Sequence, residues 1–476
     1  MKTTPYSYQI EDATRLHHFD GRGLLASQMG TGKSLCTLLW AEQHADARPI
    51  IIVCPASLKF NWERECKLHL NWRADVLDGM RPDKHPPLGR SPIVIINYDI
   101  LKPWLPLLRK LTPKLIVLDE CHVLQGRTTL RTRCVRELCQ GIPHVIALSG
   151  TPLVNRPAEL WPTLNILRPD LFPSFWTFAQ RFCNMRRTPW GFDVSGASRL
   201  PELHALLTDN LMIRRLKEDV LPDLKAKKRI VVPLDLSDRT EYDAAVKDYV
   251  AWLGARNPAK LVRAERAISI NKITDLRQLV GRLKLPNVLQ WVDNYLTSDD
   301  GKMILFGIHR AVVSAAHAAN TNRSVLVDGS VTGPKRQLAV DRFQRQSDVR
   351  LFVGNIKAAG VGLNLTAAEA VVFAEYAWAP GTHTQAEDRP HRIGQTGQVT
   401  SYWLVARKTI EEKQVQLLQS KQDVSNRTLD GKGRGDELDV FDLLAAELVR
   451  EAAGHADSSR SYRDRKRSKA KKTSPP

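Results

Sequence analysis

The chain has 476 residues, enough for about three domains, and its 43% hydrophobic and 25% charged residues are typical of a soluble globular protein. Its formal net charge of +19 predicts a polyanionic partner, first of all nucleic acid. No hydrophobic stretch approaches the roughly 18 residues that a membrane-spanning helix needs, and the first residues lack the apolar core of a signal peptide. We therefore expect no membrane partner and a cytoplasmic or nucleoid location.

Five short apolar runs in the first third of the chain predict the strands of a parallel sheet, because helical segments separate them. They are residues 24–26, 50–54, 93–97, 115–119 and 145–148. Each run ends in polar or small residues, and ligands of open α/β sheets bind outside the carboxyl ends of the strands. The sequence therefore predicts a ligand site at that edge.

Residues 27–34, Ser-Gln-Met-Gly-Thr-Gly-Lys-Ser, follow the first strand and precede a predicted helix at residues 35–43. Strand, glycine-bearing loop, Lys-Ser and helix are the layout of a phosphate-binding loop, although Ser27 stands where the full pattern has glycine. In this reading Lys33 neutralises phosphate and Ser34 holds Mg²⁺. The predicted ATP-binding residues of the loop are Met29, Gly30, Thr31, Gly32, Lys33 and Ser34. The alternative is a turn that caps a core helix.

Asp119 and Glu120 stand at the tip of the strand predicted at residues 115–119. A nucleotide hydrolase needs one carboxylate for Mg²⁺ and another to orient the attacking water. Asp119 suits the metal and Glu120 the water.

From about residue 160 to residue 296 the pattern changes to a mostly helical one, with helices predicted at residues 241–252 and 261–285. Aromatic residues between 161 and 182 favour a local core over a base-stacking platform because they repeat at helical spacing. The basic run at residues 225–229 is interpreted as a solvated linker.

A second α/β region follows, with strands predicted at residues 302–306, 324–327, 350–353, 370–373 and 401–405 and a helix at residues 410–421. A short helix at residues 440–448 precedes a basic tail, residues 460–476, which is predicted to be disordered. Seven cysteines without a C-x-x-C pair lie mostly in apolar runs, which favours core positions over a structural zinc site.

Residues 385–395, here called the arginine segment, contain Arg389 and Arg392. Phosphoryl transfer needs positive charge on the developing γ-phosphate, usually from an arginine of another domain. Three residues apart on a helical turn, the two arginines would face the same side. We therefore predict that they reach the phosphate loop from the second region.

The motifs between residues 8 and 423 include the phosphate loop, the carboxylates at residues 119–120 and the arginine segment. In their type and in their order along the chain, they resemble those of the Snf2 family of superfamily 2 helicase-like translocases. The resemblance implies an α/β fold with two RecA-like parallel-sheet lobes, at residues 1–160 and 297–435. It places a helical insert at residues 161–296, and the short helix and basic tail predicted above make up residues 436–476. Ser27 and Gln28 replace the family's usual acidic pair, and Pro390 replaces a small apolar residue.

The resemblance also implies roles for further residues. Gln9 would contact adenine, and Gly360 and Gly362 would join Arg389 and Arg392 at the nucleotide. The residues at which DNA contacts are implied are Pro55, Ser57, Asn97, Tyr98, Gly329 and Asn364. Ser149, Gly150 and Thr151 would couple the nucleotide state to the grip on DNA.

By resemblance, the chain would be a DNA-dependent ATPase that uses ATP and Mg²⁺ to move along double-stranded or branched DNA. We expect it to be a monomer. Residues 281–284, Gly-Arg-Leu-Lys, are similar to the fork-remodelling, strand-annealing branch of the family. The lack of appended targeting domains suggests a minimal motor of a prokaryote or a virus, used in replication, repair or recombination. The alternatives are an RNA- or DNA-unwinding helicase and a catalytically weak DNA-bound scaffold.

Overall fold

The computed structural model describes residues 1–84, 88–150, 152, 156–188, 191–236, 238–254, 263–331, 333–359 and 362–429. The strands are β1 (Arg22–Leu25), β2 (Ile50–Cys54), β3 (Ala74–Val76), β4 (Ile93–Asn97), β5 (Leu115–Asp119), β6 (His144–Leu148), β7 (Arg186–Thr188), β8 (Gly191–Asp193), β9 (Met212–Ile213), β10 (Lys228–Leu234), β11 (Lys302–Gly307), β12 (Ser324–Val327), β13 (Leu351–Asn355), β14 (Ala368–Phe373) and β15 (Thr400–Ala406).

The helices alternate with these strands through most of the chain. They are α1 (Ser7–His18), α2 (Lys33–Gln43), α3 (Lys59–Leu70), α4 (Leu101–Lys110), α5 (Leu130–Cys139), α6 (Trp161–Leu167), α7 (Phe175–Phe182), α8 (Leu200–Asn210), α9 (Lys217–Val220), α10 (Thr240–Gly254), α11 (Arg263–Ser298), α12 (Arg310–Ala318), α13 (Gly333–Arg345), α14 (Ile356–Ala359), α15 (Pro380–Glu387) and α16 (Ile410–Leu429).

The first sheet, which with its helices forms lobe 1, has the strand order β3-β4-β2-β5-β6-β1-β9 in the described part of the chain, and its pairs are parallel. Strand β2 is buried along its whole length, as expected for a strand covered on both faces. Ile51 and Val53 pack into a core with α4 and α5, whereas Ile50 and Ile52 pack into a core with α1, α2 and α3. Lobe 1 is therefore a doubly wound α/β fold, with helices on both faces of its sheet.

The second sheet, the centre of lobe 2, has the order β10-β15-β14-β11-β13-β12 among the described residues, again with parallel pairs. Helices α11 and α12 cover one face, and α13, α15 and α16 contribute to the core on the other. The predicted fold class, two parallel-sheet α/β lobes, is thereby confirmed.

The middle of the chain is more closely joined to the lobes than the sequence indicated. Strand β9 pairs with β1 in lobe 1, and β10 pairs with β15 in lobe 2, although both belong to the region predicted as a separate insert. Phe172, Phe178 and Phe182 are core residues, as predicted, but Trp176 is 47% exposed. The tail and the short helix predicted at residues 440–448 lie outside the described residues.

All seven cysteines are buried as free thiols, which confirms their prediction as core residues. In the described part of the chain, no helix combines the length and hydropathy that crossing a membrane requires.

Candidate nucleotide and DNA site

The phosphate loop, residues 27–34, connects the end of β1 with the start of α2 at Lys33. Gly30 and Gly32 have φ angles of 84° and 78°, a region of backbone that glycine enters without strain. Nζ of Lys33 lies 2.8 Å from the carbonyl oxygen of Ser27 and 3.2 Å from that of Gln28, and donates to both. Burial lowers the pKa of Lys33. The ammonium forms no ion pair with any described residue, so an anion is the partner that it lacks.

The substituted residues of the loop, Ser27 and Gln28, are held by the segment that follows β9. Oγ of Ser27 accepts from the backbone N–H of Arg215 (3.2 Å), and Oε1 of Gln28 accepts from that of Lys217 (2.8 Å). The neutral hydroxyl and amide oxygens of Ser27 and Gln28 can accept hydrogen bonds from these backbone N–H groups directly. Both side chains thus fix the loop against the start of α9, a role that the sequence did not reveal.

Gln9 lies on α1 beside the phosphate loop and is fully buried. Its Nε2 donates to the carbonyl oxygen of Thr31 (3.2 Å), and the hydroxyl of Tyr8 donates to the same oxygen (2.8 Å). Oε1 of Gln9 accepts from the backbone N–H of Tyr6 (3.0 Å). The structure therefore places Gln9 at the loop, with its amide engaged within the protein.

Asp119 ends β5, and two donors fix its carboxylate. Nε1 of Trp62 donates to Oδ2 (2.7 Å), and the backbone N–H of Glu120 donates to Oδ1 (2.9 Å). Burial, followed by the neighbouring charge of Glu120, raises the pKa of Asp119 to about 7. The carboxylate is thus poised for a positive charge that would favour its ionised form.

Glu120 has a φ of 51°, a left-handed conformation that is uncommon for residues other than glycine and is found at functional sites. The residue is 6% exposed. Burial would raise its pKa, but His122 and the cations of Lys33 and Arg389 outweigh burial and hold the pKa below its usual value. Glu120 is therefore a carboxylate at neutral pH, beside a metal-binding candidate.

His122 connects this carboxylate with the next strand end. Its Nδ1 lies 3.2 Å from Oε2 of Glu120 and 3.1 Å from Oγ of Ser149. Gly150 lies against Met29 and Lys33, since a Cβ on Gly150 would meet Cγ of Met29 at 2.3 Å. Two of the predicted coupling residues, Ser149 and Gly150, therefore touch the nucleotide site, and Thr151 lies outside the described residues.

The arginine segment of lobe 2 lies directly on the phosphate loop of lobe 1. A Cβ on Gly30 would lie 2.4 Å from Cβ of Arg392, and the backbone N–H of Ile393 donates to the carbonyl oxygen of Gly30 (3.4 Å). Nη2 of Arg389 lies 3.5 Å from Sδ of Met29. Burial lowers the pKa of Arg389 to about 9. The structure thus brings both arginines to the loop, as predicted.

The two arginines follow α15 instead of lying on one helical turn. The helix ends at Glu387, and Pro390 cannot continue a helical hydrogen-bond pattern. Nε of Arg389 donates to the carbonyl oxygen of Gln385 (3.0 Å), and Nε of Arg392 donates to that of Asp388 (3.3 Å).

A buried cluster of ion pairs holds the acidic residues that precede the two arginines of the arginine segment. Nζ of Lys217 lies 2.9 Å from Oδ1 of Asp388, and Nζ of Lys227 lies 2.7 Å from the same atom. Arg229 pairs with Glu387 at 2.7 Å. Burial alone would raise the pKa of Asp388, but the two lysines hold it well below its usual range.

Sequence reasoning missed this cluster. The interpretation of the basic run as a solvated linker is wrong for Lys227 and Arg229, which face buried acids. The adjacent acids Glu387 and Asp388 on an otherwise buried segment were the signal that could have revealed it.

The residues with implied DNA contacts fall into two groups. Gly329 and Asn364 in lobe 2 are exposed, and Pro55 and Ser57 in lobe 1 are half-buried. Asn97 and Tyr98 are each 4% exposed, and the hydroxyl of Tyr98 donates to the carbonyl oxygen of Asp119 (2.8 Å). As placed here, Tyr98 supports Asp119 from within the lobe and presents little surface to DNA.

Gly362 lies at the contact between the lobes, where a Cβ would meet Cδ2 of Leu58 at 1.8 Å. Its φ of 78° also favours glycine. Gly360 lies outside the described residues.

The residues at the loop fit Mg²⁺. Each carboxylate oxygen of Asp119 receives one N–H donor, which leaves lone pairs for a hard cation, and Ser34 stands half-buried in the first turn of α2. Among the described residues, no group of three His, Cys, Asp or Glu side chains could hold a metal by itself. This agrees with the usual mode of Mg²⁺, which is bound by one or two carboxylates together with substrate phosphates.

Fold and site together define a class of protein: a P-loop nucleotide hydrolase in which a second α/β lobe supplies arginines to the phosphate loop of the first. Family models match the chain as the SNF2-related domain over residues 8–282 and the helicase conserved C-terminal domain over residues 284–394. The chain belongs to the SNF2-related family of helicase-like, DNA-dependent ATPases, and the predicted family and enzyme class are confirmed.

The chain is similar to two kinds of animal protein. A Caenorhabditis elegans homolog of SWI/SNF-related matrix-associated actin-dependent regulator of chromatin subfamily A-like protein 1 is 33% identical over 434 residues, 88% of this chain and 61% of that protein. The Mus musculus DNA annealing helicase and endonuclease ZRANB3 is 33% identical over 437 residues, 87% of this chain and 40% of that protein. The chain thus spans between 40% and 61% of the length of these relatives.

Among solved structures, the Sulfolobus solfataricus SWI2/SNF2 ATPase core in complex with dsDNA matches with a TM-score of 0.43 and 25% sequence identity, covering 95% of this chain and 97% of that one.

The relatives correct one prediction. A cytoplasmic or nucleoid protein of a prokaryote or a virus was expected, whereas these relatives are animal proteins, one of them named as a regulator of chromatin. The prediction of a prokaryotic or viral source relied on a lack of appended targeting domains, and the identity with animal proteins outweighs it. The predicted resemblance to the strand-annealing branch is confirmed by the second relative.

Proposed function

We propose that this chain hydrolyses ATP with Mg²⁺ between its two lobes and uses the energy to move along double-stranded DNA without separating the strands. The observation that carries the proposal is the contact of Gly30 with Arg392, because it places a lobe 2 cation at the phosphate loop of lobe 1. A hydrolysis site assembled from two lobes couples each turnover to a relative movement of the lobes.

The roles follow from the positions of the side chains. Lys33 and the backbone N–H groups of the phosphate loop would bind the β- and γ-phosphates. Asp119 and Ser34 would hold Mg²⁺, which neutralises the charge that develops on the phosphates. Glu120 would orient the attacking water, and Arg389 and Arg392 would stabilise the transition state.

The same geometry supports communication between nucleotide and DNA. Glu120, His122 and Ser149 form a continuous set of contacts from the hydrolytic carboxylate to the end of β6. A change at the γ-phosphate would alter this set of contacts and, through the strand end, the position of lobe 1 on the DNA.

DNA would be held mainly through phosphates, which carry no sequence information, so binding should depend strongly on salt. The net charge of +19 supports a polyanionic track. The exposed Gly329 and Asn364 in lobe 2, and the half-buried Pro55 and Ser57 in lobe 1, are the proposed contact positions. Two contact regions on separate lobes would permit alternating grip.

The test is phosphate release with duplex DNA, single-stranded DNA and RNA, measured with the same preparation. Duplex DNA should stimulate hydrolysis most strongly, and Glu120→Gln should abolish the stimulation. Stronger stimulation by RNA would favour the helicase alternative. Absence of any stimulation would favour the scaffold alternative.

Strand annealing is a second candidate function, favoured by the similarity to a relative named as a DNA annealing helicase. Its test is the ATP-dependent pairing of complementary strands held apart by a single-strand-binding protein. The pairing should require the same Glu120 carboxylate.

A further inference from the structure

A surface of lobe 1 outside the nucleotide site combines exposed aromatic rings with arginines. It consists of the exposed residues Arg127, Trp176, Arg187 and Phe192 together with the buried ring of Phe175, which contacts Trp176, and is called here the aromatic patch. Trp176 is 47% exposed and Phe192 is 54% exposed, which is unusual for large hydrophobic residues lying side by side. Their ring centroids are 5.6 Å apart.

The rings of the patch are carried by two elements, α7 and the β7–β8 hairpin. Helix α7 begins after Ser174, whose Oγ accepts from the backbone N–H of Thr177 (3.4 Å), and it buries Phe178 and Phe182 in the lobe 1 core. Trp176 therefore points away from that core. Strands β7 and β8 pair antiparallel with Arg187 opposite Phe192, so these two side chains share one face.

The cations of the patch are placed for an anionic partner. Cζ of Arg127 lies 4.3 Å from the ring centroid of Phe175 and 5.0 Å from that of Trp176. Within the described part of the chain, neither Arg127 nor Arg187 forms an ion pair, whereas the nearby Arg181 pairs with Glu202. Exposed rings flanked by unpaired arginines match a nucleic acid strand, whose bases stack on rings while its phosphates meet cations.

The patch is also connected with the proposed DNA edge of lobe 1. Arg131, close to Arg127 in the chain, lies 2.6 Å from Asp99, which follows the end of β4. Strand β4 pairs in parallel with β2, whose end leads to the proposed contact positions Pro55 and Ser57. The loop that carries Arg127 begins directly after the helical turn that carries His122. A strand leaving the duplex at this edge would therefore meet the patch.

We infer that the aromatic patch binds unpaired bases of a DNA strand where it separates from a duplex held by the two lobes. This inference rests on the proposed function and adds a junction-binding site to it. Bare duplex offers no free base faces, so the patch would favour branched DNA. A partner protein would need acidic groups to pair with the same arginines, and the experiment below distinguishes such a partner from DNA.

The experiment compares affinities for a plain duplex, a fork with a single-stranded arm, and the same fork with an abasic arm. The wild-type chain should prefer the normal arm, and Trp176→Ala should weaken fork binding by about tenfold, since stacking on one ring contributes that much per base. Trp176→Phe should retain most of the preference. Met80→Ala is the control, because Met80 is 59% exposed elsewhere on the lobe.

The abasic fork separates stacking from phosphate binding, because it keeps the phosphates and lacks the bases. Equal affinity for the normal and abasic arms would overturn the inference, as would a Trp176→Ala variant with unchanged fork preference. Binding of an acidic peptide that Trp176→Ala abolishes, with no effect on fork binding, would also overturn it. In each case, duplex-stimulated ATP hydrolysis by the wild type would show that the failure concerns the patch and not the nucleotide site, and its absence would show that the proposed function fails.

Discussion

Lys217 and Asp388 form a buried ion pair, with 2.9 Å between Nζ and Oδ1, that joins the segment after β9 to the arginine segment of lobe 2. The same ammonium donates to the carbonyl oxygen of His391 at 2.5 Å. Because Arg392 is the next residue, Lys217 fixes the backbone from which that arginine reaches the phosphate loop. We therefore predict that Lys217 acts as a positioning residue for hydrolysis.

Lys217→Met should lower duplex-stimulated turnover, because the arginine segment loses an anchor. Asp388 retains Lys227, so the free energy of unfolding should fall by only about 1–3 kcal/mol. Phosphate release and urea unfolding measure the two effects, and Lys110→Met, at an exposed position, is the control. Unchanged turnover in Lys217→Met would exclude the positioning role.

Gly30→Ala should nearly abolish turnover, because the new Cβ would lie 2.4 Å from Cβ of Arg392 and would separate the lobes. Gly141→Ala is the matched control, since Gly141 has a φ of 77° and no atom within 4 Å of an added Cβ. Both variants carry a similar backbone strain. If steady-state ATPase assays show equal losses in both variants, the lobe contact is not the cause.

Arg392→Ala should bind ATP and lose about 10³-fold in turnover number, the usual contribution of an arginine to phosphoryl transfer. Arg342→Ala provides the comparison, because Arg342 is exposed on α13. Nucleotide binding measured by calorimetry separates the two steps. A variant that loses ATP binding along with turnover would contradict an assignment to the transition state.

The raised pKa of Asp119 predicts the direction in which the stability of the protein changes with pH. Its pKa in the folded protein is raised to about 7 by burial, above its value in the unfolded chain. Its contribution to stability is therefore fully present below the unfolded pKa and is lost as the pH rises to about 7. Without nucleotide or metal, the free energy of unfolding of Asp119→Asn should therefore increase relative to that of the wild type as the pH rises from 5 to 8.

Urea unfolding at pH 5 and pH 8 checks this prediction. For Glu120→Gln, the difference in stability from the wild type should change less between pH 5 and pH 8. The pKa of Glu120 is lowered, so its effect on stability changes at more acidic pH. A wild-type stability that rises with pH relative to Asp119→Asn would contradict the assignment.

The sequence predicted those features that lie within one continuous segment. Strand β2 is recognisable because four consecutive β-branched residues are typical of a buried strand, and the phosphate loop because its chemistry needs adjacent residues. Strand β9 was missed because two residues are too few to show a pattern. The Trp62–Asp119 and Lys217–Asp388 contacts join residues far apart in the chain, and only the fold brings them together.

The environment of the basic run at residues 225–229 also could not be predicted from the sequence. A short row of cations has the same sequence whether it faces water or buried acids. The fold decides for Lys227, which contacts Asp388 and Glu387.

The central claim is that hydrolysis at the two-lobed site drives movement along duplex DNA, and displacement of the third strand of a DNA triplex tests it most directly. Wild-type chain with ATP should displace the third strand from a triplex that adjoins a duplex track, while Glu120→Gln should bind the track and displace nothing. Equal displacement by the wild type and by Glu120→Gln, or vigorous hydrolysis by the wild type without any displacement, would contradict the account.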